Sequence, residues 1–455
     1  MSDAGDNDNI GLWFILLGLL ALGGGLVFGT IGAFQFLYPG FLEQVPFFKS
    51  RPLHVSLVVS WIFLAAVGGI YYYLPRHCGL KLFSGKLARL HFWLFLITGL
   101  AILSSYFAGR FGGREYWEFP AVLSIPIFVS WILFGINYFR TVARKRDAWP
   151  VYLWMWGTGC IFFLLTFSEA YLWLFPYFRE TFVREITVQW KAYGALVGSW
   201  NMLSYGTAIF VMSRVSGDDK PARSRLAFAL YLLGFTNLLF GWSHHLYPIP
   251  NAPLIRNIGY IVSMSELILL GKIIWDWRRT LSTHQKYRHQ HAYRFLAASE
   301  WWIFLNLILA LIISVPAANL ITHGTHITVA HSMGSTIGIN TMILLASVFC
   351  IIEDRVGIPL PASHAVPVRA GYWLGNGALL VFFAALIAAG LARGTYSGAS
   401  FQEMMALIRP YLLVFLVSGV GLATGLLLIL APGIRLIYTL AFPDTRLVTA
   451  AGSVR

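Results

Sequence analysis

Three histidines lie close together at the start of a long apolar stretch in the last third of the sequence. Residues 322–340 read THGTHITVAHSMGSTIGIN, which includes His323, His326 and His331. Burying an imidazole a full turn or more inside a hydrophobic helix is costly unless a ligand or a polar partner satisfies it. We therefore expect His331 to bind a buried ligand; the alternative is a hydrogen bond to a neighbouring helix.

Other potential ligands also lie in apolar runs. His54 begins the second run, the adjacent His244 and His245 end the seventh, and Glu266 lies about three turns into the eighth. If successive runs cross a membrane in alternating directions, these groups and His331 fall at similar depth in one half of the bilayer. We expect these side chains to form one buried cluster of metal ligands.

The residue types and spacings suggest which cofactors and metals this cluster binds. A single histidine on a helix, such as His54, suits an axial haem bond. His331 and Met333 are two residues apart, so their side chains face nearly opposite ways and one helix can serve two haems. The histidine pair with Glu266 suits a non-haem Fe(II) with open positions better than structural zinc or copper.

The composition predicts the elements that must position these groups. Apolar residues make up 58% of the 455 residues, charged residues only 11%, and the mean hydropathy is +0.68, which is typical of a membrane protein. We predict an all-α integral membrane protein with one domain over residues 1–455. Each of its twelve apolar runs is long enough to cross a bilayer: 11–38, 52–75, 87–108, 121–139, 151–174, 188–213, 226–247, 255–275, 298–318, 326–352, 370–391 and 410–438.

The distribution of Lys and Arg predicts the orientation. Links after even-numbered runs carry nineteen of these residues and links on the other side carry nine. Because cytoplasmic links are enriched in Lys and Arg, both termini should face the cytoplasm. The net charge of +14 largely reflects this asymmetry. We therefore expect the chain to lie in a lipid bilayer and to bind no nucleic acid.

The remaining histidines and the cysteines are expected to have no site role. We interpret the histidines of the cytoplasmic links as solvated: His77, His284, His289, His291 and His364. The three cysteines, Cys78, Cys160 and Cys350, are widely separated, which argues against a disulfide framework or a cysteine metal site.

Together these residues resemble the haem-copper oxidase superfamily, and within it the large catalytic subunit of cytochrome c-dependent bacterial nitric oxide reductases. The resemblance covers nearly the whole chain, in the order RPLHVSLVVSWIFLAAVGGIYYYLP, GREYWEFP, HHLYP, Glu266 and THGTHITVAH. It implies a twelve-helix haem-copper oxidase-like bundle. It also implies reduction of two NO to N2O and water, with two protons drawn from the periplasmic side.

The resemblance assigns roles by position. It implies that His54 is an axial ligand of a low-spin haem b and that His331 is the proximal ligand of a high-spin haem b. His244 and His245 correspond to ligands of a non-haem iron, with Glu266 as the carboxylate beside it. Glu115, in GREYWE, corresponds to a calcium ligand near the haem propionates, with Glu118 nearby.

The sequence departs from the family pattern at several site positions. Tyr193 and Val197 replace a third iron-binding histidine and an acidic residue, and Asn201 replaces a further acidic residue. Met333 stands where the second low-spin haem histidine is expected. We predict that Met333 ligates that haem and that Tyr193 is a phenolic ligand or proton donor.

The sequence leaves three functions open. The first is a nitric oxide reductase or a divergent relative acting on NO, and the second is an O2-reducing variant. The third is a non-catalytic haem b protein for electron transfer or NO sensing. Because CxxCH is absent from the sequence, we expect electrons from a separate membrane-anchored c-type cytochrome subunit.

Overall fold

A computed structural model of the protein describes residues 9–262, 265–398 and 400–443, with the side chains of 265 and 266 excepted. Within these ranges the structure is helical and contains twelve helical segments of membrane-spanning length and apolarity. They are α1 Ile10–Leu37, α2 Phe47–Arg76, α3 Gly85–Phe107, α4 Ala121–Val142, α5 Val151–Leu174, α6 Phe182–Ser216, α7 Arg225–Leu246, α8 Pro253–Val262 with Ser265–Thr280, α9 Gln290–Ser314, α10 His326–Val356, α11 Ala362–Gly394 and α12 Phe401–Ala441. The predicted all-α fold with twelve spans is confirmed.

The helices pack largely with their neighbours in sequence. α1 packs along α2, α5 along α6, and α11 along α12, while α12 returns to α1. Close approach of α1 and α2 depends on glycine, since a Cβ at Gly11 would lie 2.6 Å from the carbonyl oxygen of Gly68. Small residues at such crossings are typical of membrane helices, because they allow extensive van der Waals contact between backbones.

α6 and α10 are the most deeply buried of the twelve segments. α10 contacts α2, α6, α9 and α11, so residues on its different faces reach different neighbours. It is also irregular, because π-helical turns at Gly334–Thr341 separate the α-helical parts His326–Met333 and Met342–Val356. π-Helical insertions often occur at functional sites.

Candidate metal centre

His54 lies near the start of α2, against α1. Its Nδ1 atom lies 2.8 Å from the carbonyl oxygen of Gly25. A carbonyl accepts but does not donate, so Nδ1 carries the proton and Nε2 keeps its lone pair. Gly29 makes room for the ring, since a Cβ there would lie 2.7 Å from Nδ1. This arrangement orients Nε2 as a ligand atom.

One turn before His54, Arg51 links α2 to the loop between α3 and α4. Its Nη2 lies 2.6 Å from Oε1 of Glu115, and its Nη1 lies 2.6 Å from Oε1 of Glu118. The loop between the two glutamates is strained at Tyr116, whose φ of 67° is rare for a residue with a side chain. The loop is therefore held in place by the helix that carries His54.

Glu118 has an oxygen available for a cation. Its Oε2 is buried and has no hydrogen-bond partner. Burial raises the pKa of the Glu118 carboxyl, and Arg51 opposes that shift. Calcium takes carboxylate oxygens, with further carbonyl or water oxygens around it. The pair Glu115 and Glu118 fits such an ion, and a calcium role for Glu115 stays a prediction.

α10 carries His331 and Met333 in its first α-helical part, directly before the π-helical turns. The Nδ1 atom of His331 is buried and has no hydrogen-bond partner. Met333 is partly buried and packs against the apolar core. Because this part of α10 is α-helical, the two side chains diverge as the sequence spacing requires. Ligation by Met333 stays a prediction.

His244 and His245 lie in the 3-10 turn Gly241–Leu246, at the end of α7. Adjacent residues on a regular α-helix point about 100° apart, but here the ring centroids are 4.2 Å from each other. Glycines on both sides allow this: a Cβ at Gly194 of α6 would lie 2.9 Å from His245 Cδ2, and one at Gly259 of α8 would lie 2.8 Å from the His244 amide.

The structure brings the histidine pair into the neighbourhood of His331. The imidazoles of His244 and His245 each interact electrostatically with that of His331. His323, which precedes α10, interacts with both members of the pair, and its ring packs against Trp190 of α6 at 5.3 Å between centroids. Burial lowers the pKa of His323. Sequence reasoning gave His323 no role in the site.

Tyr193 is buried on α6, next to Gly194. Its hydroxyl accepts a hydrogen bond from Nε2 of Gln189 at 3.2 Å, and its ring meets that of Tyr116 edge-on at 5.2 Å. Its hydroxyl also interacts electrostatically with Glu115 and Glu118. Tyr193 therefore contacts the glutamate loop and directly precedes the glycine of α6 that lies against His245. Its predicted role as ligand or donor stays a prediction.

The other departures from the family pattern pack within the bundle. Val197 is partly buried against the core. The side-chain oxygen of Asn201 accepts a hydrogen bond from Nδ2 of Asn340 at 3.3 Å, which joins α6 to the π-helical turns of α10. Glu266 belongs to the second part of α8, but its side chain lies outside the described residues.

Two of the histidines expected to be solvated are buried, so that expectation is wrong for them. His289 is 3% exposed and His291 is 2% exposed. Both meet carboxylates of α10: His289 Nε2 lies 2.9 Å from Asp354, and His291 Nδ1 lies 2.8 Å from Glu353. α9 begins at Gln290, eight residues before the apolar run at 298, so the start of this helix carries both histidines against the end of α10.

The donor set fits the groups that the sequence suggested. His54 presents Nε2 as a ligand atom, and the buried Nδ1 of His331 has no partner within the protein. Imidazole and thioether are ordinary axial ligands of haem, and a pair of imidazoles can supply part of the ligand set of a non-haem iron. The types of the donor atoms present are therefore compatible with haem ligation and with a further metal.

Comparison with known proteins matches most of the chain to one protein family. The family described as cytochrome c and quinol oxidase polypeptide I matches residues 9–421. A nitric oxide reductase subunit of Stutzerimonas stutzeri is 24% identical over 408 residues, which cover 84% of this chain and 83% of that protein. The Cbb3-type cytochrome c oxidase subunit CcoN1 of the same organism is 23% identical over 438 residues, covering 89% of each.

A solved structure supports the fold. A heme-copper terminal oxidase dimer, determined by cryo-EM, superimposes with a TM-score of 0.74 at 14% sequence identity. The match covers 95% of this chain and 84% of that chain. At 14% identity this similarity supports the fold and nothing further.

Proposed function

The chain belongs to the cytochrome c and quinol oxidase polypeptide I family of haem-copper oxidases, and we propose that it is the catalytic subunit of a membrane nitric oxide reductase. Family membership makes it a multi-pass membrane oxidoreductase. The finer assignment rests on one observation: the ring centroids of His244 and His245 lie 4.2 Å apart at the end of α7, within electrostatic range of His331. The similarity to a nitric oxide reductase subunit over most of both chains supports it.

In this proposal His54 and Met333 hold a low-spin haem b, and His331 holds a high-spin haem b. His244, His245 and Glu266 hold a non-haem iron. When bound, these groups would supply the electrons and the two adjacent binding positions that N–N bond formation from two NO requires. Two NO, two electrons and two protons give N2O and water, so the protein must also supply protons.

The surroundings of Tyr193 support a proton-supplying role. Its hydroxyl interacts with Glu115 and Glu118, while its neighbour Gly194 contacts His245. A phenol has an ordinary pKa of about 10, so it donates a proton rather than removing one at neutral pH. In the proposed function Tyr193 gives its proton to the departing oxygen and regains one from the side of the glutamate loop.

The loop that carries Glu115 and Glu118 also suits contact with an electron donor. Arg51 joins this loop to the helix of His54, which gives a short connection from the surface to the first haem ligand. We assign the donor as a membrane-anchored c-type cytochrome subunit, with a calcium ion at the two carboxylates. The loop faces the periplasm and both termini face the cytoplasm of the inner membrane.

Oxygen reduction is a second candidate, because the similarity to a Cbb3-type cytochrome c oxidase subunit is nearly as strong and slightly longer. A metal count and a gas assay discriminate between the candidates. Purified protein with two haems, a non-haem iron and N2O production from NO supports the proposal. Copper in place of the non-haem iron, with O2 consumption and little NO turnover, supports the oxidase. Two haems, no third metal and no turnover of either gas indicate a non-catalytic haem protein.

A further inference from the structure

A second group of potential ligands lies at the far end of α10 from His331. His289, Cys350 and Asp354 each offer one ligand atom, and these atoms all lie within 4.8 Å of one another. We call these three residues the His–Cys–Asp cluster. Along α10 it is roughly 30 Å from His331, given the rise of about 1.5 Å per residue, so it is separate from the candidate metal centre.

Two helices build the cluster. Cys350 and Asp354 are four residues apart on α10 and therefore lie on one face of that helix. His289 directly precedes α9, and its Nε2 lies 2.9 Å from Oδ1 of Asp354. Cys350 is fully buried and His289 nearly so. The ligand atoms are thus already gathered within a distance that small side-chain movements close.

One imidazole nitrogen in the cluster and one beside it are buried without a hydrogen-bond partner. Nδ1 of His289 is buried and has no hydrogen-bond partner. Nε2 of His77, at the end of α2, is likewise buried without a hydrogen-bond partner and lies 3.8 Å from Oδ2 of Asp354. Buried polar atoms are nearly always satisfied, so two unsatisfied imidazole nitrogens around one carboxylate point to a missing partner.

The surrounding charge suits a cation with a thiolate ligand. Nη2 of Arg214 in α6 lies 3.0 Å from Oδ2 of Asp354, while Oδ1 faces His289. Carboxylates that bind metals commonly hold a second protein group in this way, which fixes their orientation. A bound divalent cation with one thiolate and one carboxylate is formally neutral, and Arg214 remains at the rim.

We propose that His289, Cys350 and Asp354 form a zinc site at this end of the bundle. Sulfur, nitrogen and oxygen ligands together suit borderline-soft Zn²⁺, whereas calcium and magnesium require oxygen ligands. Binding displaces the thiol proton of Cys350 and leaves His289 neutral with one N–H. The fourth position takes water or His77. The ion joins the start of α9 to the end of α10 and braces the helix that carries His331.

The experiment uses full-length protein in detergent with its haems. After treatment with a chelator, zinc is added in stoichiometric amounts and the protein is freed of excess metal. The proposal predicts about one zinc per chain, with a zinc-edge X-ray absorption spectrum containing one sulfur at about 2.3 Å. The proposed ligands at the His244–His245 centre are imidazoles and a carboxylate, so zinc bound to them has nitrogen and oxygen neighbours and the spectrum separates the two sites. This result does not depend on NO turnover.

Variants test the assignment. Cys350→Ser should remove the sulfur signal and weaken zinc retention at least about tenfold, while the haem spectrum shows that the chain is still folded. Cys160→Ser, which changes a buried cysteine on α5, should match the wild type. Absence of bound zinc, zinc without a sulfur neighbour, or equal loss in both variants would overturn the proposal and leave the cluster as an ion-pair junction.

Discussion

The Nδ1 atom of His54 donates a hydrogen bond to the carbonyl oxygen of Gly25, at 2.8 Å across the contact between α1 and α2. This single bond fixes the tautomer of the imidazole and keeps Nε2 available as a ligand atom. One turn away, Arg51 holds both glutamates of the α3–α4 loop. The predicted ligand atom of His54 and the α3–α4 loop are thus connected through one helix end.

The first prediction concerns the space beside His54. In Gly29→Ala the new Cβ would lie 2.7 Å from Nδ1 of His54, so the ring must move away from its hydrogen bond. We expect a lower content of low-spin haem, or a shifted low-spin spectrum, while the high-spin haem is retained. Gly23→Ala is the control, because a Cβ there has nothing within 4 Å. Identical spectra for the two variants and the wild type would count against His54 as the ligand.

The second prediction concerns Met333. Thioether ligation raises the potential of a haem relative to bis-histidine ligation. Met333→His should therefore lower the low-spin potential by on the order of 100 mV, within the range of ~0.8 V over which axial ligands act. Met333→Leu should convert that haem to a high-spin spectrum. If both variants keep the wild-type potential and spectrum, Met333 has a packing role only.

The third prediction concerns the glutamate loop. Glu118→Gln keeps the shape of the side chain but removes the charge that a calcium ion requires. We expect a loss of calcium affinity of at least about tenfold and weaker retention of a c-type cytochrome during purification. Glu43→Gln, in the exposed link between α1 and α2, is the control. Calcium binding that is equal in both variants would assign the carboxylates to their ion pairs with Arg51 alone.

The transmembrane fold could be predicted from the sequence because hydrophobic length is a local property. Each run of about 20 apolar residues needs a helix to satisfy its backbone in a bilayer. The contact of His244 with His245 could not be derived in this way, since it depends on a 3-10 turn and on glycines of α6 and α8. The π-helical turns of α10 likewise lack a clear local signal.

Groups brought together from distant links were the hardest to foresee. Cys350 was expected to be isolated, because no other cysteine lies near it in sequence. A mixed site needs no second cysteine, and here a histidine that precedes α9 folds onto the end of α10. The Gly25 carbonyl was also missed, because every residue has a carbonyl and only the packing of α1 on α2 selects this one.

The fourth prediction concerns Tyr193. Tyr193→Phe removes the hydroxyl but keeps the ring contact with Tyr116. If the phenol supplies a proton, NO turnover should fall by about 100-fold, the low end of the usual contribution of a general acid, with the iron content unchanged. Loss of iron would instead identify a ligand. Tyr177→Phe, an exposed tyrosine before α6, controls for the loss of a hydroxyl and should keep full activity.

The fifth prediction tests the metal centre itself. His245 packs into the space left by Gly194, next to His244 and within electrostatic range of His331. His245→Ala leaves one histidine of the pair, so non-haem iron should be lost and NO turnover should fall below detection, because two NO molecules must be held together for the N–N bond to form. Both haem spectra should remain, since neither predicted haem ligand changes. His284→Ala, in an exposed link, should keep the iron and the activity. A His245→Ala protein with full iron content and normal turnover would refute the proposed metal site. Joint loss of iron and haem would instead indicate a general folding defect. In that case His245→Gln, whose side chain is larger than alanine and polar, should partly restore the haem content.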